Sequence, residues 1–370
     1  MNLYIIDLRP TVKFSNEEIL IIKTELKNPD NTFIFFSLEE NRPYDTINTG
    51  LKTFDVPFYQ KNCVVLSDIL VREHHKINFY NIIRYDSQLM KVAIDEEFNK
   101  YNKEINLDTG RFLFLMGKPY KRHRIGALHK LYENNLLDKC DYSFTLHENY
   151  YQRIRDILPN LNDKEFRDFV NKTQKKLDDI NLIIDGDSYH YMGVPTDSNL
   201  YKNTSFSLIS ETDSIAKPHW FLSEKFWRAV ASHHMFILMV NELSIDHIHN
   251  LGFSTFQQFL EIKKEQSGEN EYLIIDNSIK NVKFLLDTIQ NNKDAIQFQI
   301  KKNYKTYRQL VEKCRNIVDK ELEKYLYISD QNTVQHYISG PNTLKHYKSI
   351  RKLMIDEKLK YAIDKLFKDI

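Results

Sequence analysis

Five polar residues near the middle of the chain have the types and spacing to bind a nucleotide diphosphate. An apolar stretch ends at Glu211. Ser223 is placed to cap a helix that begins with Glu224 and Lys225, and Arg228 follows one turn later. Free N–H groups at a helix start favour phosphate, Lys225 would add charge, and Glu224 could accept two ribose hydroxyls. The alternative is a capped amphipathic helix with solvated charges.

A second cluster is basic and lies about ninety residues earlier. It consists of Lys118, Lys121, Arg122, His123 and Arg124, between an apolar stretch and an amphipathic one. This pattern predicts the point where a strand leads into its helix, the edge at which open α/β sheets bind ligands. The cluster would then neutralise a diphosphate. The alternative is a basic loop that is solvated or contacts DNA, although nucleic acid would need a broader basic surface.

Residues 206–239 resemble the donor-binding region of nucleotide-sugar glycosyltransferases with two Rossmann-like domains, the GT-B architecture. They are similar to α-1,3-fucosyltransferases, in which an apolar strand leads to an acidic loop, a T-E-K triplet and a helix. The run E-T-D beginning at Glu211 would correspond to that loop, and the run S-E-K beginning at Ser223 to the triplet. Residues 226–239 also look like the corresponding region of phage DNA β-glucosyltransferases. The similarity covers roughly residues 110–260.

The resemblance implies roles for individual residues. Glu224 would hold the ribose, Lys225 would hold the diphosphate, and Glu211 would orient the sugar or the loop of the site. Arg124 or Arg122, at the predicted start of the other helix, would contact the diphosphate. The third residue of the E-T-D run is an aspartate where the family commonly has an amide or a hydroxyl. The sugar preference of the family therefore does not carry over.

An inverting transfer also needs a general base that takes the proton of the acceptor hydroxyl. In GT-B enzymes this group usually belongs to the N-terminal domain and faces the cleft. Asp86 follows a predicted strand and is the first candidate for the catalytic base. Glu39 and Glu40, which follow an earlier predicted strand, and His74 are the other candidates. The alternative for each of them is an ordinary surface residue.

Asp185 and Asp187 form a D-x-D triplet, which in the single-domain GT-A glycosyltransferases holds a divalent ion that bridges the donor phosphates. Acidic triplets of this kind are also common in turns. The two clusters described above offer neutralisation of the diphosphate without metal. We therefore expect a metal-independent enzyme with no cofactor besides its nucleotide-sugar co-substrate, and GT-A is the alternative.

Composition excludes several classes of protein. Only 9 of the 370 residues are glycine, and none are two or five positions apart, so G-x-G-x-x-G and P-loop motifs are excluded. The formal net charge of +1 argues against a uniformly basic surface for nucleic acid. The 3 cysteines form no C-x-x-C pair. With neither a signal-peptide pattern nor a membrane-spanning run, we expect a cytoplasmic protein (host cytoplasm if viral) that binds no membrane.

The elements that must position these residues follow from hydrophobic patterning. Short apolar stretches alternate with amphipathic ones, which predicts an α/β fold with parallel sheets. We expect an N-terminal Rossmann-like acceptor domain at 1–108, a Rossmann-like donor domain at 109–290 and a helical segment at 291–370. Residues 39–62 are predicted to form a long loop that could face a ligand.

These expectations describe a glycosyltransferase that moves a hexose or pentose from a nucleotide diphosphate sugar to a hydroxyl. Its favoured acceptor is a hydroxymethylated pyrimidine in double-stranded phage DNA, which the basic cluster and a basic amphipathic stretch at 343–370 could contact. A carbohydrate or surface glycan is the alternative acceptor. A non-catalytic nucleic-acid-binding α/β protein is the second alternative.

Overall fold

The computed structural model describes most of the chain between residues 3 and 338. The described residues are 3–8, 14–29, 31–37, 43–56, 63–67, 82–84, 86–98, 101, 103–117, 121–144, 151–174, 198–211, 222–262, 270–326 and 336–338. The chain divides into two compact units, of which the first comprises residues 1–94 and 309–370 and the second comprises residues 95–308.

The helices and strands follow one another with short connections. The chain begins with β1 (Leu3–Asp7), α1 (Asn16–Glu25), β2 (Thr32–Ser37), α2 (Pro43–Thr53), β3 (Cys63–Ser67), β4 (Ile82–Arg84) and α3 (Ser87–Phe98), and α3 carries it into the second unit. It continues with β5 (Phe112–Gly117), α4 (Arg122–Glu133), β6 (Cys140–Phe144), α5 (Tyr151–Ile157), α6 (Asp163–Gln174), α7 (Ser198–Lys202), β7 (Phe206–Ser210), α8 (Glu224–Ala231), β8 (Met235–Met239), α9 (Glu242–Asn250) and α10 (Glu271–Thr288). The long α11 (Lys293–Leu326) leads back to the first unit, which β9 (His336–Ile338) completes.

The first unit is built on a parallel five-stranded sheet in the order β4-β3-β2-β1-β9. Ile6 of β1 lies opposite Phe35 of β2, which in turn lies opposite Val65 of β3. These side chains are buried in one apolar cluster with Ile22 of α1. Burial of both faces explains why the strands of this unit are nearly continuous apolar runs.

The second unit contains a parallel four-stranded sheet in the order β6-β5-β7-β8. Every residue of β7 and β8 is buried. The chain leaves β5 toward β6 and leaves β7 toward β8, which lie on opposite sides. Because such crossovers are right-handed, α4 and α8 cover opposite faces of the sheet. The arrangement is compatible with a Rossmann-like α/β fold, and it agrees with the predicted fold class at this level.

The prediction of a long loop at 39–62 was wrong, because Pro43–Thr53 within it forms α2. Proline is tolerated in the first turn of a helix, and Ile47 and Leu51 lie four residues apart on one buried face. Gly50 is required by close packing, since a Cβ there would lie 2.7 Å from Leu8 Cδ2. The helix therefore forms through contacts with β1 that short-range patterning does not reveal.

The C-terminal segment 291–370 contains α11 and also the short strand β9. The basic stretch at 343–370 lies outside the described residues. Of the helices in the described ranges, none combines the length and the apolar character needed to cross a membrane.

Candidate functional site

The candidate site lies at the carboxyl ends of β5 and β7, the two central strands of the second unit. The order β6-β5-β7-β8 means that the chain turns to opposite sides after these two strands. Open α/β sheets bind ligands at such a switch point, because the diverging connections leave a crevice between them. The predicted donor-binding residues that are described lie on the helices that follow these strands, α4 and α8.

Glu211 connects the two halves of this site. It directly follows β7 and is buried. Its main-chain carbonyl oxygen accepts a hydrogen bond from Arg124 Nη2 at 3.3 Å, and His123 Nε2 lies 3.1 Å from the same oxygen. The first turn of α4 is thereby joined to the end of β7.

The side chain of Glu211 makes the second connection. Both carboxylate oxygens accept the backbone N–H of Ser223, at 3.3 and 3.2 Å, so the carboxylate lies at the start of α8. Burial raises the pKa of Glu211, although the nearby Lys225 ammonium and the Ser223 contacts act in the opposite direction. The position agrees with the implied role of Glu211 in orienting the loop of the site.

The start of α8 has the predicted capping geometry. Ser223 has an extended backbone, and its Oγ accepts the backbone N–H of Lys225 at 3.3 Å. Lys225 Nζ donates to Glu224 Oε1 at 2.9 Å, so the lysine expected to bind diphosphate already pairs with the carboxylate expected to bind ribose. Arg228 lies in the last turn of α8 and is buried.

The start of α4 differs from that of α8. Its N-cap residue is Lys121, and no side chain accepts a capping hydrogen bond there. Arg124 is buried, with 2% of its surface exposed, whereas Arg122 points outward. Arg122 Nη2 donates to Tyr272 Oη, and its guanidinium lies 5.2 Å from the centre of that ring.

Several predicted residues cannot be placed in the site. Lys118, Glu39 and Glu40 lie outside the described residues, as do the D-x-D triplet, His74 and the last two residues of the E-T-D run. Asp86 belongs to the first unit, where its Oδ1 accepts the backbone N–H of Leu89 at 3.0 Å. Within the described ranges, no three His, Cys, Asp or Glu side chains are grouped to hold a metal ion.

Comparison with known proteins gives no relative: no family model, no curated protein and no solved structure matches the chain. The resemblance to GT-B glycosyltransferases therefore rests on sequence patterns. The functional argument depends on the switch point and on the side chains around it.

The structure also places residues at the site that spacing did not single out. Tyr272, at the start of α10, is 63% exposed and holds Arg122. A separation of 150 positions along the chain leaves no pattern that could predict this contact. Ser210, the last residue of β7, is buried beside Glu211, and its place at the end of an apolar run was the available signal.

Proposed function

We propose that the protein is a nucleotide-sugar glycosyltransferase of the GT-B type, with its donor bound at the switch point of the second unit. The observation that carries this proposal is the convergence of the start of α4, Glu211 and the start of α8 at the ends of two central parallel strands. These three parts are separated in the sequence, and each was expected at a donor site from its own pattern.

The charge of the site suits an anionic ligand. Four cationic side chains lie on or beside the first turns of the two helices, namely Lys121, Arg122, Arg124 and Lys225. Two carboxylates, Glu211 and Glu224, oppose them. The raised pKa of Glu211 reduces its negative charge further. The excess of positive charge and the two helix starts would together stabilise a diphosphate.

In the proposed reaction, the acceptor oxygen bonds to the anomeric carbon while the bond between that carbon and the diphosphate oxygen breaks. The cations of the site and the N–H groups of α4 stabilise the charge that develops on the leaving diphosphate. A general base takes the acceptor proton, and Asp86, Glu39 and Glu40 are its candidates.

A direct test measures nucleotide binding by calorimetry with UDP, GDP and TDP. Lys225→Ala should weaken the binding of the preferred nucleotide by about 1.5–3 kcal/mol, the range for a hydrogen bond to a charged group. Lys280→Ala is a matched control, because Lys280 also pairs with a carboxylate, Asp276, at 2.8 Å but lies on the exposed side of α10. Absence of nucleotide binding, or equal losses in the two variants, would contradict the proposal.

For the acceptor, we favour a hydroxymethylated pyrimidine in DNA. A base inside a duplex must be extruded or reached in an opened groove, and phosphate contacts would make DNA binding weaken as salt rises. Labelled nucleotide sugars should be mixed with hydroxymethylated DNA and, separately, with saccharides. Label found only in saccharide would favour the glycan alternative. Salt-sensitive DNA binding without nucleotide binding or transfer would favour the non-catalytic alternative.

A further inference from the structure

Ser210 is a buried polar residue whose hydroxyl has no hydrogen-bond partner. Its exposed fraction is 0%, and no acceptor or donor lies within bonding distance of its Oγ. Buried hydroxyls in proteins are nearly always paired, because an unpaired one loses its bonds to water and gains nothing in exchange. An unpaired hydroxyl at the mouth of a proposed ligand site therefore calls for a partner.

The alternation of side chains along β7 gives the direction of this hydroxyl. Ser207 Oγ lies 2.8 Å from His234 Nδ1, and Ser207 is paired in register with Phe236, whose ring contacts Phe226 of α8. Ser207 therefore faces α8. Ser210 is three positions further on and faces the other side of the sheet, the side that α4 covers.

The first turn of α4 is the neighbouring element on that side. Arg124 of α4 reaches the carbonyl oxygen of Glu211, the residue that follows Ser210. No side chain caps α4, whereas serine or asparagine side chains cap α1, α8, α9 and α10. The unpaired hydroxyl and the uncapped first turn of α4 thus lie together at the switch point.

We propose that Ser210 donates its hydroxyl hydrogen bond to a phosphate oxygen of the donor, bound at the first turn of α4. This inference rests on the proposed nucleotide-sugar function and adds a residue that the sequence patterns did not include. The phosphate oxygen supplies the missing partner of Ser210 Oγ and also accepts from the N–H groups of α4.

The test compares two serines of the same strand. Ser210→Ala should weaken the binding of UDP or GDP, and of inorganic pyrophosphate, by about tenfold, which corresponds to about 1.4 kcal/mol. Its melting temperature should stay the same or rise, because the removed hydroxyl had no partner. Ser207→Ala should do the reverse: it should lower the melting temperature by removing the partner of His234 and leave the affinity for both ligands unchanged.

The outcomes separate this inference from the function on which it rests. If the wild-type protein binds no nucleotide and no pyrophosphate, both are overturned. If the wild-type protein binds them and Ser210→Ala binds them equally well, only the role of Ser210 is overturned. A lower melting temperature for Ser210→Ala with unchanged affinity would make Ser210 a structural residue and would also overturn its role.

Discussion

Two buried titratable residues of the second unit have pKa values that are shifted in opposite directions from their ordinary values. Burial lowers the pKa of His234 to about 4, because the folded protein holds the neutral ring beside Ser207 and 2.8 Å from the Thr204 carbonyl oxygen. Burial raises the pKa of Glu211. In both residues the low-polarity surroundings disfavour the charged form, but the consequences for stability have opposite signs.

For His234 we expect stability to fall as pH drops from about 6.5 to about 4. In this range the unfolded chain binds a proton that the folded protein excludes, so acid favours unfolding by about 3 kcal/mol in total. His234→Gln should lose this dependence. The measurement is the free energy of unfolding in urea across this pH range. An equal pH dependence in the wild type and the variant would contradict the assignment.

For Glu211 the folded pKa is above the unfolded value, so its contribution to stability is present below the unfolded pKa and is lost as pH rises through the folded pKa. Glu211→Gln has no charge to bury and keeps an oxygen that can accept the Ser223 N–H. The stability of this variant relative to the wild type should therefore increase from pH 4 to pH 7. A relative stability that does not change with pH would show that the buried carboxylate is fully compensated by its neighbours.

At the scale of elements, a buried polar cluster joins α3, α11 and the segment between α3 and β5. Tyr304 Oη donates to Glu96 Oε1 at 2.6 Å, and Lys103 Nζ donates to Tyr304 Oη at 2.6 Å. Lys103 also pairs with Glu96 at 2.8 Å, and Arg308 lies 3.6 Å from its other oxygen. The Glu96 side chain is only 3% exposed, so its charge depends on these partners.

Tyr304→Phe should destabilise the protein by about 1–3 kcal/mol, because it leaves a buried carboxylate without one of its donors. Tyr132→Phe is the matched control. Tyr132 also donates to a carboxylate, that of Asp168, but this side chain is 50% exposed and water can replace the lost bond. Its loss should cost less than about 1 kcal/mol. Urea unfolding of the two variants measures the difference, and equal losses would show that burial does not strengthen the contact.

The sequence predicted those elements whose signals are local. Ser223 and the apolar run before Glu211 were enough to predict α8 and β7, because capping and hydrophobic patterning act over a few residues. The helix α2 was not predicted, since its buried face depends on Leu8 of another element. The contact of Arg124 with Glu211, 87 positions apart, depends on the order of the strands, which spacing along the chain does not encode.

At the scale of the whole molecule, the parallel α/β fold could be predicted from alternating stretches, whereas the division of the chain could not. The predicted domains were contiguous, at 1–108 and 109–290, but the first unit combines residues from both ends of the chain. Pairing of β9 with β1 links residues more than three hundred positions apart. No local pattern in three residues such as His336–Ile338 could indicate that partner.

We expect transfer activity to proceed without a divalent ion, because the cations at the starts of α4 and α8 would neutralise the diphosphate. Activity should be unchanged in the presence of a chelator and in Asp185→Asn. Arg124→Ala should reduce it strongly. Loss of turnover both on chelation and in Asp185→Asn would favour the GT-A alternative.

The return of the chain to its first unit has a consequence for synthesis on the ribosome. The second unit is continuous, so it can fold as soon as residue 308 has emerged. The sheet of the first unit cannot close at that time, because the outer edge of β1 has no neighbour until β9 has been made. During that interval β1 presents unpaired main-chain groups to other nascent chains, which is the usual route to aggregation through sheet edges. The last part to be translated thus protects the first.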